Sequence, residues 1–191
     1  VETWGMELAA RLQPRPWIGL DVAAAYADPR FKQGSEDPGS TVFCGIAPGI
    51  PTSTFCDIRP STVNPGQLVP DISGKLLLRA SRWTWAGGLT LSPRGKAFRG
   101  LTLRIGASYQ DDVFDRAVNG AAYGRRPLLD ARLVLPLGLA TIELWGTNLT
   151  DARYFRSAAG RQPQFYTGQP RPLDLILGDG RRVGLTLRFG G

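Results

Sequence analysis

The chain has 191 residues, 42% hydrophobic and 20% charged, a composition that excludes an intrinsically disordered chain. Its formal charge is +7, but the arginines are spread among Asp and Glu rather than clustered, which argues against nucleic acid as a partner. The sequence has no His, the commonest general base and transition-metal ligand. We therefore predict no catalytic residue, cofactor or metal site, and we expect no enzyme.

Apolar side chains recur at every second position in six stretches, which is the period of a β-strand with one apolar face. In chain order these stretches are about 4–12, 18–26, 101–109, 129–135, 140–147 and 183–189. A further strand is expected from about Ile72 to Ser92, with a bulge or an irregular end near Leu76–Leu78, where the alternation breaks. No convincing helix is found. The sequence predicts an all-β chain of about seven strands.

The connections between the predicted strands alternate strictly in length. Residues 14–16, about 93–100 and 136–138 form short connections, whereas about 33–69, 110–126 and 149–180 form long ones. In an up-and-down meander, all short turns then lie at one end and all long loops at the other. This asymmetry is typical of transmembrane β-barrels, which have short inner turns and long outer loops.

The two faces of the predicted strands differ in chemistry. One face is apolar and uncharged in the six regular strands, and the other carries the charges Glu7, Arg11, Asp21, Arg104, Asp130, Arg132, Glu143, Arg182 and Arg188. Aromatic residues fall at the inner ends (Trp17, Phe189) and at or beyond the outer ends (Tyr26, Tyr109, Tyr154, Phe155), as in the interfacial belts of membrane barrels. Trp83 and Trp145 do not fit this pattern.

Two cysteines, Cys44 and Cys56, lie in a stretch rich in Gly, Pro and Ser, at a spacing that matches no metal or redox motif. A disulfide within this loop is the favoured interpretation and implies an oxidising compartment. Two unrelated free thiols are the alternative.

The C-terminal third resembles the end of the barrel of TonB-dependent outer-membrane receptors. The resemblance rests on "LLDARLVLPLGLATIELWGTNLTDARYF" followed by "GRRVGLTLRFGG": an NLTD-x-x-Y segment (148–154), a loop, and a last strand that opens with Gly180 and Arg181. Gly5 and Glu7 in the first strand, and Pro70 before the irregular one, are similar to other barrel segments of that family. Gly190 and Gly191 depart from its usual terminal aromatic.

The resemblance implies active uptake of a scarce nutrient, most often a ferric siderophore, across the Gram-negative outer membrane with energy from the TonB complex. It implies that residues 1–191 are the C-terminal portion of a barrel of about 22 strands, whose other strands and plug domain lie outside this chain. The lipid bilayer and the barrel-assembly machinery are the remaining expected partners. That machinery would recognise the last strand through Val183, Leu185, Leu187 and Phe189, which we expect to face lipid.

Candidate ligand-binding residues lie in the last long loop. Arginines and aromatic rings suit a carboxylate- or catecholate-bearing iron chelate, and the loop contains Arg153, Arg156, Arg161, Phe165, Tyr166 and Arg171. The charges Asp130, Arg132 and Glu143 are expected to pair across strands, or alternatively to line a ligand path or hold the plug.

Some alternatives remain open. Acidic pairs at Glu36–Asp37 and Asp111–Asp112 could bind Ca²⁺, although solvated loop acids are favoured. Another outer-membrane barrel, such as an autotransporter or a small plug-less barrel, and a soluble β-sandwich are the alternatives for the whole chain.

Overall fold

A computed structural model describes residues 1–46, 54, 56–95, 98, 100–160 and 173–190 of the chain. Its main feature is one antiparallel sheet of seven strands, each paired with the next along the sheet. These strands are β1 (Glu2–Arg15), β2 (Ile18–Arg30), β5 (Trp83–Leu91), β6 (Thr102–Gln110), β9 (Arg126–Leu137), β10 (Ala140–Thr147) and β13 (Arg182–Phe189). The sheet confirms the predicted all-β meander and its strand count.

The long connections contain structure of their own. Three small two-stranded sheets lie there, formed by β3 (Asp57–Pro60) with β4 (Leu68–Asp71), β7 (Val113–Phe114) with β8 (Ala122–Tyr123), and β11 (Phe155–Gly160) with β12 (Leu173–Leu177). A 3₁₀ turn (Pro38–Ser40) leads into the short helix α1 (Thr41–Cys44), which ends at Gly45 in a left-handed conformation. The sequence signalled no helix, because four residues are too few to show a 3.6-residue period. No helix in the described residues is long and apolar enough to cross a membrane.

The expected strand from Ile72 to Ser92 was wrong at its start, since β5 begins only at Trp83. Ile72 is buried in a cluster of loop residues. Leu76 forms an isolated bridge with Arg30, and the Leu77 amide donates to the Pro29 carbonyl at 2.9 Å. The alternation breaks at Leu76–Leu78 because these residues touch the end of β2 through isolated contacts and do not form a continuous strand ladder.

Register keeps one face of the sheet apolar from edge to edge. Leu8 lies opposite Ala24, Leu89 opposite Ile105, and Leu144 opposite both Leu133 and Leu185. This face stays exposed: Leu8 is 64% and Leu185 58% accessible. The fully buried apolar residues lie in the loops instead, among them Cys44, Val69 and Val118. The sheet therefore has no protein core against its apolar face within the described residues.

Aromatic rings line the long-loop end of this apolar face. The ring centroids of Trp4 and Tyr26 are 5.1 Å apart, and those of Tyr26 and Trp83 are 4.7 Å apart. Trp85 and Tyr109 continue the row as a stacked pair at 6.2 Å. Trp83 thus belongs to the outer aromatic row, and the prediction that it did not fit was wrong because the start of its strand was misplaced.

Trp145 lies on the opposite, polar face. Its indole Nε1 donates to Thr186 Oγ1 at 3.2 Å, and its ring lies flat over Gly184 on the neighbouring strand. A methyl group on Gly184 would come 2.4 Å from the ring carbon Cζ2. The glycine therefore makes room for a large aromatic that ties β13 to β10.

We expect Gly184→Ala to displace the Trp145 ring and to destabilise the pairing of β13 with β10 by about 1–3 kcal/mol, the usual cost of overpacking. The loss of stability is measured by a urea titration in which the fraction of folded protein is read from its mobility on an unheated gel. Gly190→Ala is the matched control, because nothing lies within 4 Å of a methyl group there. Equal stability of the two variants would contradict the role assigned to Gly184.

Candidate functional site

The polar face carries ion pairs that cross between strands. Arg104 donates to both carboxylate oxygens of Asp21, at 2.8 and 3.0 Å, and to Thr90 at 3.0 Å. Its guanidinium spans the backbone of Gly88, where a side chain would block it. These contacts join β2, β5 and β6 across three adjacent strands.

A second cluster centres on Glu143, whose side chain is only 6% exposed. Its carboxylate meets Arg132 at 3.2 Å on one side and Arg188 at 3.1 Å on the other. Glu143 and Arg132 pair across neighbouring strands, as expected from the sequence. Arg188 is a third member of this cluster. Asp130 instead accepts a hydrogen bond from the Asn148 amide at 2.8 Å. Most charged side chains of the polar face therefore have a neighbour of opposite charge.

The NLTD-x-x-Y segment fastens the two ends of the last long loop. The Asn148 side chain is bonded to both the amide and the carbonyl of Ala152, and it donates to the Asp179 carbonyl at 3.0 Å. Asp151 accepts from the Arg181 amide at 3.1 Å, and Tyr154 lies against Gly178. Asn148 and Asp151 both have left-handed backbones, which these residue types tolerate better than most. The segment thus sets where β13 begins.

The first two long loops pack into one body. Cys44, Ile72 and Val118 form its buried centre, with Phe31, Phe43 and Cys56 around them. Asn119 bonds to both the amide and the carbonyl of Leu76, which joins the loop after β6 to the loop after β2. Arg116 lies 4.6 Å from the centroid of the Phe43 ring. Cys44 and Cys56 are joined in this body, with 5.6 Å between their Cα atoms.

Glu36 anchors the outer part of the same loop. Its carboxylate accepts from the Thr62 amide at 2.7 Å and from the Ser61 hydroxyl at 2.8 Å, and Arg59 lies 3.3 Å away. These bonds, that of the Thr62 amide first, hold the pKa of Glu36 below its ordinary value of 4.5. The Ser73 hydroxyl and amide, with Arg59 nearby, likewise lower the pKa of Asp71.

The acidic pairs have protein partners. Asp37 accepts from the Ser40 hydroxyl at 2.6 Å, and Asp112 pairs with Arg125 at 2.9 Å. Within the residues that the structure describes, no cluster of three metal-ligating side chains occurs. In this structure these acids therefore hold loop segments together through hydrogen bonds and ion pairs.

The predicted ligand-loop residues are only partly described. Arg153 is exposed, and Arg156 pairs with Asp179 at 3.0 Å. Arg161, Phe165, Tyr166 and Arg171 lie outside the described residues. The structure adds two arginines that sequence reasoning missed, Arg79 and Arg126, which line a pocket together with Arg156. No sequence signal could have found this set, because its members are 30 or more residues apart and meet only in the fold.

No protein-family model and no curated protein matches this chain. Solved structures do match it, and two of them match over 98% of the chain. The ferric yersiniabactin uptake receptor FyuA from Yersinia pestis has a TM-score of 0.64 at 15% identity, and the siderophore receptor PiuA from Acinetobacter baumannii has 0.65 at 16%. The chain spans 23% and 21% of those two receptors, about a fifth of their length.

The chain thus has the fold of a section of a siderophore-receptor β-barrel. This likeness confirms the predicted fold class. It also agrees with the barrel fold that the sequence resemblance implied. A β-sandwich is contradicted, because the matched proteins are barrel receptors and the seven main strands form a single sheet.

The lowered pKa of Glu36 predicts that the outer loop loosens in acid. A carboxylate with a lowered folded-state pKa stabilises the fold at neutral pH, and that contribution is lost as the pH falls below 4.5 and through the lowered value. Hydrogen exchange of residues 57–71, corrected for intrinsic pH dependence, should therefore rise steeply below pH 4.5.

Glu36→Gln should lower protection already at pH 7 and flatten this rise, leaving the part that Asp71 contributes. Asp57→Asn is the control, because the Asp57 carboxylate is 81% exposed. Its one ion pair in the described chain is with Lys75, at 3.3 Å. An unchanged acid profile in the Gln variant would show that Glu36 does not fasten the loop.

Proposed function

We propose that this chain is part of the barrel of an outer-membrane receptor that takes up a scarce nutrient, with a ferric siderophore as the best-supported cargo. The observation that carries the proposal is that the two faces of the sheet differ in chemistry. Its apolar face is continuous, exposed and bordered by aromatic rings, while its opposite face is polar and ion-paired. Only a strand assembly that meets lipid on one side and an aqueous lumen on the other requires this combination.

The matched proteins support the cargo and the transport role. Both are siderophore receptors by name, and one takes up ferric yersiniabactin. Their likeness extends over nearly the whole chain, which favours a receptor of this type over an autotransporter or a small plug-less barrel. Energy from the TonB complex is part of the same proposal, and it would be delivered through a plug domain that lies outside residues 1–191.

The remaining strands of the barrel are further proposed partners. β1 and β13 each have one edge with no strand pair in the described residues, and an open edge in lipid would leave backbone groups unsatisfied. We propose that other strands of a longer protein cover these edges. Val183, Leu185, Leu187 and Phe189 then face lipid and present the strand that the assembly machinery recognises.

The Cys44–Cys56 bond fits this location. A loop outside the outer membrane is exposed to oxidising conditions, where disulfides persist. A bond that closes a loop of this size restricts the unfolded chain by about 3 kcal/mol in the chain-entropy model. We propose that it holds the first outer loop in shape on the cell surface.

Lipid contact is tested by adjacent residues of β9 that face opposite ways. Leu133→Arg would place a charge on the apolar face and should cost about 2–4 kcal/mol of folding free energy in lipid vesicles. Val134→Arg is the matched control on the polar face, where Glu143 lies directly opposite and would receive the charge. Equal costs, or a chain that folds cooperatively as a monomer without detergent, would overturn the membrane proposal.

Transport is tested in cells that encode this chain in its natural reading frame. Deleting that frame should abolish uptake of at least one ⁵⁵Fe-labelled siderophore under iron limitation, and deleting the TonB gene should abolish the same uptake. Restoring the frame on a plasmid is the control. Unchanged uptake across a panel of catecholate, hydroxamate and carboxylate siderophores would contradict a ferric siderophore as the cargo.

A further inference from the structure

A polar pocket lies where the lumen face of the sheet meets the outer loops. Gln110 and Arg126 are register partners at the ends of β6 and β9, and both lie on the face that carries Arg104 and Arg132. Loop residues from three other segments complete the walls. The pocket has a volume of about 280 Å³, and its lining includes Arg79, Gln110, Arg126, Phe155, Arg156 and Ser157.

Buried side chains form one side of the pocket. Val113, Tyr123 and Ala158 form a buried cluster, with Ala158 only 1% exposed. Gly124 has a left-handed backbone, and a methyl group on it would lie 3.7 Å from the Phe155 carbonyl oxygen. The β7–β8 hairpin and β11 are therefore in close contact, and the pocket walls have fixed positions relative to each other.

The charge in the pocket is only partly compensated. Its lining has three arginines and no acid, and of these Arg156 pairs with Asp179 outside the lining at 3.0 Å. Arg126 donates to the neutral amide oxygen of Gln110, and within the described chain neither Arg126 nor Arg79 has a carboxylate within ion-pair distance. The nearby Asp112 is already paired with Arg125 at 2.9 Å. Several other arginines of the polar face have acidic partners, and Arg79 and Arg126 differ from them in this respect.

Arg79 is held in an unusual backbone conformation. Its φ is +58°, and it is the one residue in the described chain other than Gly, Asn or Asp with a left-handed backbone. Its amide donates to the Phe114 carbonyl at 2.9 Å, which ties it to the β7–β8 hairpin. Such a conformation persists only where the surroundings impose it, and it is often associated with functional sites.

We propose that this pocket binds a small organic anion through its carboxylate groups. Planar guanidinium groups bind carboxylates through paired hydrogen bonds, and Arg79 and Arg126 converge here with no carboxylate partner in the described chain. Arg156 adds a third positive charge, which it shares with Asp179. Phe155, which is 36% exposed, offers apolar contact to the carbon skeleton of an organic ligand. The volume is just below the usual range for small-molecule sites and suits a compact polycarboxylate. That the anion is transport cargo rests on the proposed function, whereas the binding itself does not.

The test uses propane-1,2,3-tricarboxylate as a probe in titration calorimetry, with the protein that contains this chain folded in detergent micelles. We expect saturable binding that Arg79→Gln and Arg126→Gln each weaken at least about tenfold, because hydrogen bonds to charged groups contribute this much. Ser157→Glu should abolish binding by placing a carboxylate inside the pocket. Arg94→Gln, which removes an exposed arginine from the short connection between β5 and β6, should change affinity less than twofold.

Several results would overturn the proposal. These are no saturable binding, equal weakening by Arg94→Gln, binding of the uncharged trimethyl ester, or inorganic phosphate competing as well as the tricarboxylate. Heat-modifiable mobility checks that each variant is folded, and Arg79→Lys, which keeps the charge, should retain more affinity than Arg79→Gln. Binding without siderophore uptake would refute the transport proposal alone, and uptake without binding would refute the pocket alone.

Discussion

The side-chain alternation of the seven sheet strands constrains the rest of the structure. Each strand has one face that avoids water and one that requires it, so a register slip of one residue would turn arginines and carboxylates toward the apolar side. The pairing of Leu144 with both Leu133 and Leu185 shows the register preserved across three strands. The strands follow one another as an antiparallel meander, and the long loops all emerge at one end.

Specific contacts fix this register where alternation alone leaves freedom. Trp145 over Gly184 and the Asn148 side chain on Ala152 and Asp179 together set the position of β13. Glu143, between Arg132 and Arg188, ties β9, β10 and β13 together on the polar face. Such buried or half-buried polar contacts specify one arrangement, because a slipped register would leave each of them unpaired.

The buried centre of the molecule lies in its loops. A soluble domain packs its sheet against an apolar core, whereas here the sheet exposes Leu and Val and the loops bury Cys44, Ile72 and Val118. The outer loops are consequently an ordered body rather than loose connections. Their order gives the arginine pocket defined walls, and a defined pocket can select among ligands.

The fold class, the alternating loop lengths and the chemistry of both faces could be predicted from the sequence, because a period of two is a local property. The sequence also contained the segment around Asn148 that resembles barrel receptors. It misplaced the start of β5 and left Trp83 and Trp145 unexplained, since their partners Tyr26 and Gly184 are distant in the chain. Only the tertiary structure brought Arg79, Arg126 and Arg156 together, because contacts between separate loops depend on how all the strands are aligned.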